Sequence, residues 1–209
     1  MILLNVKLEI MKMITKEDFI QELKNEHYTE EELVEKYICF GIPMIFNDHE
    51  QKYYDLRKDI STQFPVKSKN NIIVVGSAKL GFSIAPQKRF REIQDESDID
   101  VAIIDEELFD NYWERLFEFN INLKSRTEDE DKLYRRFLQY FFKGWLRPDL
   151  FPFKFRGKSE WFDFFNSISY KEYDKRKVAA AIYKNEYFFK KYHEKNIREL
   201  REELKNGKI

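Results

Sequence analysis

Apolar residues recur at helical spacing along most of the chain, interrupted by short runs of a different period. Thr15 and Asp18 with Phe19, Ile20 and Leu23 predict a short amphipathic helix capped by Thr15. Thr29 before Glu30, Glu31 and Glu32 repeats the signal, with acids at the positive end of the helix dipole, and Gly41 and Pro43 end it. Asn47 is the expected cap of a third helix through Tyr53, Tyr54 and Leu56 to about Phe64, where Pro65 stops it. The texture changes at Asn71. Ile72-Ile73-Val74-Val75 is β-branched, too short for a helix and bounded by Gly76-Ser77, so it predicts a buried strand. Ile99 to Ile104 predicts a second strand, with acids at alternate positions around its start. Leu108, Tyr112, Leu116 and Phe119 then mark a helix, and Thr127 with Glu130 heads another through Leu133, Phe137, Leu138 and Phe141. Arg147 to Pro152 reads as a loop and Ser159 as the cap of a short helix over Trp161, Phe162 and Phe165. Val178 to Tyr183 reads as a third strand and Glu186 to Leu204 as a long terminal helix.

These elements predict an α-rich α/β (α+β) fold, a small mixed sheet flanked by helices. Residues 1–65 form a helical scaffold and 66–209 a core with C-terminal helices, together one compact unit. Composition agrees: 6 Gly and 5 Pro in 209 residues leave little for the many tight turns of an all-β fold, and 43% hydrophobic residues are enough for a sizeable core. Cys39 is the only cysteine, which excludes an intramolecular disulfide and a Cys-based metal site and points to a reducing compartment. No run without charge approaches membrane length, so the expectation is a cytoplasmic protein with no membrane partner. The net charge of -1 conceals an asymmetry: residues 143–209 hold 17 Lys+Arg against 10 Asp+Glu, and the remainder holds 20 against 28. That points mildly to an anionic partner for the C-terminal part, with a solvated helix face as the plainer reading of the last helix.

The chemistry concentrates between residues 71 and 104. Alternate side chains of a strand share a face, so Asp98 and Asp100 project together while Ile99, Val101 and Ile103 enter the core. Two carboxylates that close repel unless a cation lies between them, and hard oxygen ligands suit magnesium or manganese. Gly76 allows a sharp turn and close backbone approach, leaving amides and the Ser77 hydroxyl for phosphate oxygens, with Lys79 just beyond. Neither a Walker motif nor a Gly-x-Gly-x-x-Gly run is present. His27, His49 and His193 show no metal-ligand spacing, and the aromatics around Tyr183 and Tyr187, beside Lys184, Lys190 and Lys191, read as core before they read as a stacking platform for nucleic acid.

Gly76-Ser77 after one strand and Ser97-Asp98-Ile99-Asp100 on the next resemble the DNA polymerase beta-like nucleotidyltransferase superfamily, over about Asn71 to Ile104. The resemblance implies a metal-dependent transferase that moves a nucleoside monophosphate from an NTP or dNTP, ATP included, to a hydroxyl of nucleic acid or a growing oligonucleotide. It implies Asp98 and Asp100 as catalytic metal ligands for Mg2+ or Mn2+, and Gly76, Ser77 and Lys79 as the triphosphate site, with Arg89 and Arg91 as further phosphate partners. Small stand-alone relatives occur in bacterial toxin-antitoxin and phage-defence loci, so a defence role and a partner protein are implied as well. The alternatives are a protein-nucleotidylating, antitoxin-like enzyme and an inactive nucleotide- or nucleic-acid-binding module. The chain departs from the pattern in two places: the interval between Ser77 and Asp98 is long, and the third expected strand carries no carboxylate. Glu186 is the nearest substitute, with Asp163 and Asp174 as others.

Overall fold

The computed structural model describes residues 14–170, 172, 173 and 175–209. Its centre is a four-stranded sheet of β1 (Ile72–Val75), β2 (Ile99–Ile104), β3 (Trp145–Leu146) and β4 (Val178–Tyr183), in the order β1-β2-β4-β3. β2 runs antiparallel to β1 and parallel to β4, and β3 is antiparallel to β4. Eight α-helices surround it among the described residues: α1 (Lys16–Lys24), α2 (Glu30–Val34), α3 (Glu50–Gln63), α4 (Ser77–Leu80), α5 (Glu106–Ile121), α6 (Glu128–Phe141), α7 (Arg156–Ile168) and α8 (Glu186–Lys205). The fold is the α-rich α+β arrangement expected from the periodicity. No helix among the described residues is long and apolar enough to cross a membrane.

Strand alternation divides the core into two layers. One sheet face presents Ile72, Val74, Ile99, Val101, Ile103, Val178 and Ile182 to α3, α5, α6 and α7, where Leu56, Phe109, Phe137 and Trp161 close over it. The other face presents Ile73, Ala102, Ile104 and Tyr183 to Phe19 of α1, Leu33 of α2, and Phe189 and Ile197 of α8. Helices from the N-terminal stretch therefore cover both faces, α1 and α2 one and α3 the other, and share their cores with the rest of the chain.

The caps follow the sequence in part. Thr15 accepts from the Asp18 amide, and Thr29 and Thr127 each form a full capping box, with Glu32 and Glu130. Asn47 and Ser159 do not cap. Asn47 ends a 3-10 turn and α3 begins after His49, while α7 starts at Arg156 and Ser159 donates back to the Arg156 carbonyl. The predicted loop at Arg147 follows a strand: Trp145 and Leu146 pair with Tyr183 and Ile182. Two residues are too few for a period to register.

The charge asymmetry resolves inside the molecule. On α8, Lys190 pairs with Glu35, Arg201 with Glu30 and Lys205 with Glu26. Arg201 also donates to the carbonyls of Leu23 and Tyr28. The basic terminal helix thus lies against the acidic edge of the N-terminal helices, and several of its cations are engaged there.

Candidate active site

Three strand ends meet at one edge of the sheet. The antiparallel register sets Val75 opposite Asp100, so the chain leaves β1 beside the second acid of the Ser-Asp-x-Asp run. There it turns through Gly76, whose φ of 67° and ψ of -150° lie in a region that only glycine occupies readily. A Cβ on Gly76 would lie 3.3 Å from Asp100 Oδ2, so the glycine admits the carboxylate as well as the turn. α4 follows at once. Its hydrogen bonds begin with the Lys79 and Leu80 amides donating to the Gly76 carbonyl, which leaves the Ser77 and Ala78 amides ahead of the first helical bond.

Asp100 lies on the β2 face opposite Ile99 and Val101, as alternation requires; Asp98 immediately precedes the strand, near enough for its charge to act on Asp100, and both are exposed. Among the described residues neither carboxylate has an ion pair or a hydrogen bond. Water reaches Asp100 in a cleft walled closely by protein, and desolvation, followed by the charge of Asp98, raises its pKa to about 6, against opposing effects of Lys88, Lys177 and Arg147. A pair of unpartnered carboxylates, one resisting ionisation, suits a cation held between them. Among the described residues no group of three or more His, Cys, Asp or Glu is gathered to hold a metal, so any ion would take its remaining ligands from water or substrate.

The approach to Asp98 is braced from a distant part of the chain. Arg176 donates to the Ser97 carbonyl at 3.0 Å and to that of Gln94, and the Gln94 amide donates to Ser97 Oγ at 3.0 Å. The Ile99 amide donates to the Lys177 carbonyl at 2.8 Å, extending the β2–β4 ladder to the site. Arg176 carries no signal in the sequence, because its role depends on carbonyls about 80 residues earlier.

The other expected site residues are elsewhere. Lys79 is 6% exposed, and its ammonium donates to the carbonyls of Phe40 and Gly41, at 2.7 Å to the latter. It therefore ties α4 to the segment after α2 instead of facing a phosphate, and burial lowers its pKa to about 8. Arg89 forms a two-pronged ion pair with Glu203 and donates to the Ile84 carbonyl, pinning the 83–91 segment to α8. Arg91 is exposed.

Neither of the described substitutes for the third acid joins the pair. The parallel register places Ala179 beside Asp100, with Ala181 next on the same face. Glu186 follows the far end of β4, where Tyr183 pairs with Ile104; at ~3.3 Å per residue that row is roughly 13 Å from Asp100. Its carboxylate pairs with Lys190 at 2.9 Å. Asp163 is exposed on α7, which covers the opposite sheet face. Asp174 lies outside the described residues.

Comparison with known proteins finds no matching family model, and no matching curated protein or solved structure.

Proposed function

We propose that the chain is a metal-dependent nucleotidyltransferase. The observation that carries this reading is the junction of Gly76 with Asp100: a glycine-only turn opening onto amide donors, set against a carboxylate pair without partners among the described residues. Asp98 and Asp100 would hold magnesium or manganese, which when bound offsets the negative charge of the phosphates during displacement. The Ser77 and Ala78 amides and the Ser77 hydroxyl would hold phosphate oxygens. In the reaction an acceptor hydroxyl loses its proton to water and forms a bond to the α-phosphorus of a nucleoside triphosphate, while the α–β bridging bond breaks and pyrophosphate leaves. Lys79 has no part in this scheme. The acceptor of first choice is a hydroxyl on nucleic acid or a growing oligonucleotide, in a phage-defence setting.

Ala179 beside Asp100 favours one second reading, a module that binds nucleotide without turning it over. One experiment separates the two. The four ribo- and four deoxyribonucleoside triphosphates are incubated with magnesium or manganese, with and without a nucleic-acid primer or a candidate protein acceptor, and pyrophosphate and labelled products are analysed. Pyrophosphate release that needs the cation and vanishes in the Asp98→Ala, Asp100→Ala double variant is the expected result. Turnover that survives the double variant overturns the assignment, and binding without turnover supports the module.

A further inference from the structure

The sheet face that carries Asp100 carries one cation fixed by its neighbours. Arg147 continues β3 one residue beyond Leu146, and the antiparallel register brings it level with Ala181 of β4. Leu146 belongs to the core on the opposite face, so alternation turns Arg147 to the Asp100 side, with Trp145. Between Asp100 and Arg147, β4 presents on this face the methyl groups of Ala179 and Ala181, both incompletely buried, with Ala102 of β2 level with Ala181. Two strand spacings, about 9.5 Å across the sheet, and a two-residue offset, about 6.6 Å along it, separate the two residues. The carboxylate and the guanidinium thus share one sheet face, with the β4 alanines between their strands.

Arg147 is also held in place before any ligand arrives. Its Nε and Nη2 donate to the two oxygens of Asp149 at 3.1 and 2.8 Å. Its guanidinium packs 4.7 Å from the Tyr140 ring centroid and 5.4 Å from that of Trp145. The Asp149 fork uses two of five donors, and the side chain remains 25% exposed. A guanidinium oriented in this way loses little freedom on binding an anion and presents a planar array suited to phosphate oxygens.

We propose that Arg147 is a phosphate-binding residue of this site and receives the polyphosphate tail of the substrate across Ala179 and Ala181. The ligand class rests on the transferase reading, because acids on one side and a cation on the other complement a metal–polyphosphate complex. An alanine thus stands on β4 beside Asp100 where the resemblance would place a third acid, and the cation beyond it completes the charge complementarity.

The test uses inorganic tripolyphosphate with magnesium, followed by calorimetry and by thermal shift, on the full chain. Arg147→Ala is expected to weaken binding at least tenfold. Arg147→Lys, which keeps the stem packing and the charge but loses the fork, is expected to weaken it severalfold. The Lys205→Ala control, far out on α8, is expected to bind as the unaltered chain does. If Arg147→Ala is too unstable to assay, the lysine variant and a comparison of melting temperatures without ligand decide the matter. Failure of the unaltered chain to bind tripolyphosphate, or unchanged binding in Arg147→Lys and Arg147→Ala, overturns the assignment. Arg147-dependent tripolyphosphate binding with no turnover of any nucleotide overturns the transferase reading and leaves Arg147 in its role.

Discussion

Asp100→Asn is expected to make the protein more stable at neutral pH and unresponsive to divalent ions. Desolvation and the nearby Asp98 raise the Asp100 pKa from 3.8 to about 6. The folded state therefore holds this proton more tightly than the unfolded chain between about pH 4 and 6. By linkage, the Asp100 contribution is most favourable below the unfolded value and is lost as pH rises through the folded one. For a fully enclosed group two pKa units correspond to about 3 kcal/mol. Water reaches Asp100, and screening brings the expected cost of its charge to about 1 kcal/mol. In a chain of 209 residues that is roughly 2–4 °C in Tm. The assay is thermal or urea unfolding of the variant and the unaltered chain at about pH 4 and pH 7.5, with and without millimolar magnesium or manganese. The variant should match the unaltered chain at the lower pH and exceed it at the higher, and only the unaltered chain should gain stability from the cation. A variant that is less stable at pH 7.5, or a difference that does not change with pH, would refute the account of a charge held in readiness for a metal.

Gly76→Ala should cost about 1–3 kcal/mol in urea unfolding, from the φ of 67°, and should also lower tripolyphosphate affinity because the new methyl presses on Asp100; a neutral outcome would remove the strained turn from the argument. Lys79→Met keeps the aliphatic stem but leaves the Phe40 and Gly41 carbonyls short of a donor, so stability should fall by about 1–3 kcal/mol while binding per folded molecule stays unchanged. A selective loss of nucleotide affinity in that variant would return Lys79 to the phosphate site. His193 is buried with neither ring nitrogen hydrogen-bonded among the described residues, and burial lowers its pKa to about 3. Its folded value lies below the unfolded one, so its stabilising effect is present above about pH 6.5 and is lost as pH falls toward 3. His193→Phe should flatten that acid limb in pH-dependent unfolding, and an unchanged pH profile would count against a neutral buried imidazole.

Local pattern determined much of this protein. The β-branched runs Ile72–Val75 and Ile99–Ile104, the threonine caps at 15, 29 and 127 and the terminal helix depend on neighbours within a few residues, and each forms where the sequence places it. The projection of Asp100 away from Ile99 and Val101 follows from strand alternation for the same reason. The order β1-β2-β4-β3, the placing of Ala179 beside Asp100 and the two-residue strand β3 were decided by pairing between segments tens of residues apart, for which one sequence carries no period. Tertiary structure also divided the cations. Lys79 and Arg89 are drawn to backbone carbonyls and a carboxylate, and the basic face of α8 to the acids of the first helices, because a charge leaving water needs a partner in reach. Arg147, in a stretch that reads as a loop, instead shares the sheet face of Asp100. The residues adjacent in sequence supplied the chemistry of the acid pair, and contacts made across the sheet selected the groups that surround it.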